Sequence, residues 1–217
     1  MAKPTMLKLE LQNLSFRYSA LEPYVFSNVS VELSAEEYVA VTGDNGCGKS
    51  TLGKVICGLL WPTEGMVNIG GISPVHLKAR ERIRCAYYIM QDVQLQFAKS
   101  SLKKEIVLTS TIANKPLRLL ESYSEYSLPD DLNVIPFDLS LNEAWRFALF
   151  LAEIVDPCVL FIDEAPSLSN SRNRRSLSFL VQKRQEKGRI TMLSSQDKID
   201  LSFTRSVSIG VGGIESG

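Results

Sequence analysis

The chain has 217 residues, 45% hydrophobic and 22% charged, with 24 Lys plus Arg balanced by 24 Asp plus Glu. That length supports one good core with room for an appended subdomain, and the zero net charge excludes a global basic field drawing it to nucleic acid. No apolar run approaches the ~20 residues of a membrane span, and Met1-Ala2-Lys3-Pro4 opens no secretory signal, so a cytosolic chain is expected.

In chain order, Leu7-Lys8-Leu9-Glu10-Leu11 and Val29-Ser30-Val31-Glu32-Leu33 alternate apolar and polar at period two and predict strands. Tyr38-Val39-Ala40-Val41-Thr42 predicts a buried strand, and residues 52–60 a helix. Met66-Val67-Asn68-Ile69 follows the turn-like Pro62-Thr63-Glu64-Gly65, and residues 86–90 form a further strand candidate. From about 92 to 140 the character is helical, with helices expected over 102–108 and 112–120 and a polar stretch over 122–131. Residues 143–155 predict a long helix and Val159-Leu160-Phe161-Ile162 a fully apolar strand. Residues 171–187 predict a helix stopped by Gly188, with strands over 190–193 and 207–209. Strands alternating with helices predict an α/β core with a parallel sheet.

Between the strand at 38–42 and the helix after it lies Gly43-Asp44-Asn45-Gly46-Cys47-Gly48-Lys49-Ser50-Thr51, which fits G-x-x-x-x-G-K-[ST]. Glycines at Gly43, Gly46 and Gly48 let successive backbone N–H groups, those of Asn45 and Cys47 among them, converge on phosphate oxygens. The helix N-terminus adds the positive end of its dipole. Lys49 would reach the β- and γ-phosphates, Ser50 would hold Mg²⁺ and Thr51 closes the motif. A Gly-rich strand-to-helix turn is the alternative, but the flanking elements argue against it. Farther on, the apolar strand at 159–162 ends in Asp163-Glu164: the first acid suits Mg²⁺, the second suits a base for water.

The four cysteines, Cys47, Cys57, Cys85 and Cys158, match no zinc or redox spacing. Cys57 and Cys158 are expected as core thiols. Cys47 is read as a small loop residue or as a thiol activated by the helix N-terminus. His76, the only histidine, is expected at the surface.

Taken together, these motifs resemble the ATP-binding subunits of ABC transporters, with order and spacing held from about residue 7 to 210. Phe16-Arg17-Tyr18 resembles the aromatic loop that stacks on adenine, with Tyr18 at the usual spacing. Gln91 resembles the Q-loop glutamine, which touches Mg²⁺ or the attacking water. Leu139-Ser140-Leu141-Asn142-Glu143 occupies the place of the LSGGQ signature, and Arg146 continues it. The resemblance implies a phosphate-loop ATPase core over residues 1–217, with an N-terminal antiparallel β-subdomain and a helical subdomain over about 92–140. It implies ATP and Mg²⁺ as ligands, Asp163 on the metal and Glu164 as the base. A finer pattern, Gln91, Gln96, Ser101, Leu102 and Glu105, looks like the ATPase subunits of cobalt and energy-coupling-factor transporters.

Five positions, in four motifs, depart from the family. Leu141 and Asn142 replace the signature glycines; Ser140 remains, although Ser140-x-x-Glu143 is equally a helix capping box. Gln196 stands where the switch histidine is expected and can bond a phosphate oxygen but carry no imidazole charge. Asn170 replaces the D-loop aspartate, and Glu36 replaces a turn glycine. A homodimer would carry these defects at both sites; a heterodimer would separate them. The expected partners are a second, better-equipped ATPase subunit and transmembrane subunits on the inner face of a membrane, without nucleic acid. A regulatory subunit with little hydrolysis, or a soluble non-transport ABC ATPase, are the alternatives.

Overall fold

In the computed structural model, which describes residues 6–166, 168–195, 202–210 and 213–216, the first period-two segment becomes β1 (Lys8–Phe16). It lies between β2 (Phe26–Ser34) and β4 (Glu64–Ile69) in an antiparallel sheet. Leu9 faces Leu33 on one side and Ile69 on the other, and all three are buried. One face of this sheet is therefore apolar and needs a cover.

The cover is a second sheet in the order β5-β6-β7-β3-β8-β9. Its members are β3 (Tyr38–Thr42), β5 (Ala86–Ile89), β6 (Val159–Ile162), β7 (Ile190–Ser194), β8 (Arg205–Gly210) and β9 (Gly213–Ser216). The first five are parallel and β9 is antiparallel to β8. Every residue of β6 and β7 is buried, because both faces are covered, and this explains their continuous apolar sequence. Along β6 the side chains alternate between two cores. Val159 and Phe161 join the antiparallel sheet and first helix; Leu160 and Ile162 join the helices opposite.

The first helix, α1 (Lys49–Ile56), begins three residues before the predicted start and ends earlier than expected. Gly58, at φ +68°, stops it, and residues 57–60 turn away. Gly53 lets α1 press onto β6: a Cβ there would lie 2.5 Å from the Phe161 ring. A short helix the sequence reading missed, α2 (Ala79–Cys85), precedes β5.

The two helices expected at 102–108 and 112–120 are instead one, α3 (Leu102–Ala113). Asn114 closes it in the left-handed conformation at φ +54°, Pro116 follows, and a 3-10 stretch runs over Leu117–Tyr126. The polar reading of 122–131 also needs correction: Ser122 and Tyr126 are buried and both donate to the carboxylate of Glu153. The long helices α4 (Leu141–Val155) and α5 (Ser171–Glu186) complete the second core.

Cys57 is buried as expected; Cys85, for which no placement was expected, is buried too, and burial pushes its thiol up to about 11. Cys158 is a correction: it is only half-buried, at the start of β6, with its sulfur 3.7 Å from Nη1 of Arg189. His76 is exposed, edge-on to Trp61. Glu36 takes φ +71°, a conformation that favours glycine.

Candidate functional site

The carboxyl ends of β3, β5, β6 and β7 converge on one edge of the parallel sheet, the position where open α/β sheets hold ligands. The phosphate loop follows β3. Gly48 caps α1 at φ +103°, where a Cβ would meet Val25 at 2.7 Å, so the loop can pass this point only as glycine. Lys49 is buried; its ammonium donates to the carbonyls of Gly43 (2.7 Å) and Asp44 (3.0 Å), across the mouth of the loop. The Cys47 N–H bonds the Asp44 carbonyl, and Cys47 packs half-buried against the first core, which favours its reading as a small loop residue. Asn45 and Gly46 are exposed. Tyr18 stands beside the loop: its ring meets Phe16 edge-on at 4.9 Å, and its hydroxyl is 3.0 Å from that of Thr51.

Beneath the loop, Ser50 donates to Oδ1 of Asp163 at 3.0 Å. Asp163 is buried and also accepts from Ser194 at Oδ1 (2.9 Å) and from Tyr88 at Oδ2. Burial and the bond to Asp163 push the Tyr88 phenol far above its ordinary range, so it stays protonated and can only donate to that carboxylate. Glu164 sits beside it in the left-handed region at φ +54°. Its N–H donates to the Ser194 hydroxyl (2.9 Å), and its Oε2 accepts from Nε2 of Gln91 (2.6 Å). A non-glycine residue held there costs of order 1–3 kcal/mol, and such positions cluster at functional sites.

Gln91 follows β5, and the polar residues of the finer motif shape the turn after it. Gln96 accepts from the Met90 N–H and donates to the Tyr88 carbonyl. Buried Glu105 accepts the N–H groups of Ala98 and Lys99, and Ser101 caps α3. That pattern is thus a device for closing the loop between β5 and α3.

At the start of α4 the capping box is fully formed. Ser140 accepts from the Glu143 N–H, while Glu143 accepts from both the N–H (3.0 Å) and the hydroxyl (2.6 Å) of Ser140. The structure engages Ser140 with Glu143 rather than with the phosphate loop. Leu141, 67% exposed, projects from the helix end. Asn142 accepts from Asn173, whose own side-chain oxygen accepts from buried Arg146. Asn170 caps α5 by accepting from Arg172 and Asn173. Gln196 lies outside the described residues.

The sequence-predicted residues Tyr18, Gly43 to Thr51, Gln91, Asp163 and Glu164 are therefore together, and Ser140 stands apart. Sequence reasoning missed Tyr88 and Ser194. Tyr88 sits inside a strand read as apolar and Ser194 directly follows another, and the available signal was their hydroxyls, since a buried hydroxyl needs a partner.

The arrangement defines a phosphate-loop nucleotide-binding domain on an α/β scaffold. A family model described as ABC transporter matches residues 26–167, and the chain belongs to that family of ATPases. It is 26% identical, over 86% of its length and 68% of the relative's, to the energy-coupling factor transporter ATP-binding protein EcfA1 of Oceanobacillus iheyensis. A solved ATP-binding subunit of an ABC transporter superposes with a TM-score of 0.84 at 24% identity, covering 96% of this chain and 89% of that one. The ATP-binding cassette MJ0796, solved as a dimer in a post-hydrolysis state with ADP and Pi, superposes with a TM-score of 0.82 at 21% identity, over 95% and 96%. Among the described residues no helix is long and apolar enough to cross a membrane.

Proposed function

We propose that this chain is the ATP-binding and ATP-hydrolysing subunit of a membrane transporter of the energy-coupling-factor type, one ATPase domain working at a dimer interface. The observation that carries the reading is the pairing under the loop: Ser50 on Asp163, and Gln91 on Glu164 alongside. The Ser50 hydroxyl, the Asp163 carboxylate and the Gln91 amide oxygen are hard oxygen donors, which fits Mg²⁺. Among the described residues no group of three or more His, Cys, Asp or Glu forms a cage, as suits an ion completed by phosphate oxygens and water.

Bound Mg²⁺ would neutralise phosphate charge during hydrolysis. Lys49 would exchange its two loop carbonyls for phosphate oxygens, and Tyr18 would offer its ring to adenine. Glu164, held by Ser194 and Gln91, would orient the attacking water and take its proton. Gln196, in the place of a histidine, would bond phosphate without supplying positive charge.

The partner favoured is a different ATPase subunit. The exposed Leu141 and the self-engaged Ser140 and Asn142 make a poor donor surface for a phosphate held by a second chain. A heterodimer would spend this surface on one site only. With no spanning helix among the described residues, docking on transmembrane subunits would place the chain at the inner membrane face. The likeness to EcfA1 of Oceanobacillus iheyensis and the order within the Gln91 to Glu105 turn support the transporter type.

The test is Glu164→Gln in the complex purified with its membrane subunits. Wild-type complex should hydrolyse ATP, and the variant should bind ATP yet stall. Equal low rates in both would favour a regulatory, nucleotide-stabilised subunit, and co-purification with nucleic acid rather than membrane subunits would overturn the transport reading.

A further inference from the structure

We propose that Cys85 and Cys158 form an oxidisable thiol pair, in which a hydroperoxide oxidises Cys158 and Cys85 resolves it as a disulfide between β5 and β6. This site lies at the opposite end of the sheet from the phosphate loop and is independent of the nucleotide reading.

The backbone sets the two residues side by side. The parallel register of β5 on β6 begins with Ala86 opposite Val159. It extends one residue back, because the Cys158 N–H donates to the Arg84 carbonyl at 3.1 Å, the bond that places Cys85 opposite Cys158. On its other side the Cys158 carbonyl accepts from the Ile190 N–H at 3.0 Å, so Cys158 is held between two strands. Neighbouring strands run about 4.7–4.9 Å apart, within the roughly 4.4–6.8 Å that a disulfide spans between Cα atoms. Both side chains line one cavity of about 640 Å³ beside β4 and α2, so they project to the same side. Cys57 is buried and does not line it.

The two thiols differ in the way such a pair requires. Cys158 is half-buried, and Nη1 of Arg189 donates to its sulfur at 3.7 Å. Nη2 of the same guanidinium is held by Asp156 at 3.4 Å, which fixes the cation in place. The cavity reaches solvent past exposed Met6, Ile72 and Arg84. A partly exposed sulfur beside a cation is the setting of reactive thiols. Cys85 is 8% exposed; burial pushes its thiol up, and a charge on Cys158 pushes it the same way, so each sulfur lies in the field of the other. Cys85 is therefore placed to resolve rather than to initiate.

In the first step the Cys158 sulfur attacks a peroxide oxygen. The S–O bond forms, the O–O bond breaks, and hydroxide leaves with the thiol proton as water. In the second the Cys85 sulfur attacks the sulfenic sulfur. The S–S bond forms, the S–O bond breaks, and the oxygen leaves as water with the Cys85 proton. Two thiols and one peroxide thus become one disulfide and two waters, and a dithiol reverses the change. The bridge would fasten β5, the edge strand of the parallel sheet, to β6.

The test treats the full, folded chain at low concentration with hydrogen peroxide, blocks free thiols, and maps the peptides by mass spectrometry without reduction. A Cys85–Cys158 bridged peptide is expected, with Cys57 still reduced and the bridge lost on adding dithiothreitol. Cys158→Ser should slow the oxidation of Cys85 at least about tenfold. Cys85→Ala should stop at a Cys158 sulfenic acid, which a 1,3-diketone traps. Oxidation of Cys158 to sulfinic acid without a bridge, a bridge from Cys85 to Cys57, or both thiols left reduced would each overturn the pairing. Should either variant not fold, the wild-type peptide map decides alone by the same outcomes.

Discussion

The phosphate-loop end and the signature end of this molecule treat their polar groups in opposite ways. Around the loop, polar side chains come from four strand ends and bond one another across the cleft: Lys49 on loop carbonyls, Ser50 on Asp163, Gln91 on Glu164. Each of these contacts can be exchanged for a ligand contact without unfolding an element. At the signature end the polar groups serve the fold itself. Ser140 and Glu143 cap α4, and Asn142 is tied through Asn173 to Arg146. What faces outward is Leu141. One end holds polar contacts that a ligand could replace, and the other spends its polar groups on a helix cap and a buried chain of contacts.

The largest effect that could break this contrast is at the loop. Lys49→Ala should lower MgATP affinity by about 10- to 150-fold, because a charge-assisted bond to phosphate is worth roughly 1.5–3 kcal/mol and the loop carbonyls lose their cation. Titration of the full chain with a fluorescent ATP analogue checks this, and undiminished affinity would contradict the loop's role.

Next comes the signature. Leu141→Gly with Asn142→Gly should raise ATP turnover in the assembled complex about tenfold, by letting backbone N–H groups approach the partner's phosphate. Steady-state hydrolysis measures it, and no gain would mean that Asn142 already suffices or that the partner does not use this surface.

A smaller effect separates cap from donor at Ser140. Ser140→Ala should cost about 1 kcal/mol of stability near neutral pH, as the loss of an N-cap usually does. The Ser140 hydroxyl holds the Glu143 carboxyl below its ordinary value. A depressed carboxylate stabilises the fold above its unfolded pKa and loses that contribution as pH falls through the folded value. The gap between wild type and Ser140→Ala should therefore narrow below about pH 4. Urea unfolding at pH 7 and pH 3 tests it, and an equal gap at both would assign the loss to the Ser140 contact with the Glu143 N–H alone.

The smallest expected change lies outside both ends. Glu36→Gly should stabilise by up to about 1 kcal/mol, since a non-glycine residue in the left-handed region costs roughly that much and glycine is looser when unfolded. A rise of about 2–4 °C in Tm is expected. Glu164 has a similar φ, so the pair distinguishes strain tolerated in a turn from strain kept beside a candidate base.

Much of this architecture is legible along the chain. Period-two alternation marks β1 and β2, and continuous apolar runs mark β3 and β6, because burial on one face or two leaves different patterns. The helical region after Gln91 was harder. Two helices were expected where α3 ends at Asn114, because apolar residues continue past the break and only the left-handed turn and Pro116 end it. Tyr88 was invisible for a related reason: in an apolar strand a tyrosine reads as packing, and its hydroxyl has meaning only once its neighbour is known.

By itself the sequence determined what is local. The loop from Gly43 to Thr51, its flanking strand and helix, and the acidic end of β6 each depend on neighbours a few positions away, so spacing fixes them. Tertiary structure decided what meets across the sheet. Tyr88 and Ser194 reach Asp163 from 75 and 31 positions away, because parallel register brings the ends of β5, β6 and β7 to one edge. The same packing turned Ser140 to the cap of its own helix and tied Asn142 and Arg146 to Asn173 on α5, since buried donors and acceptors must pair with whatever the fold sets beside them.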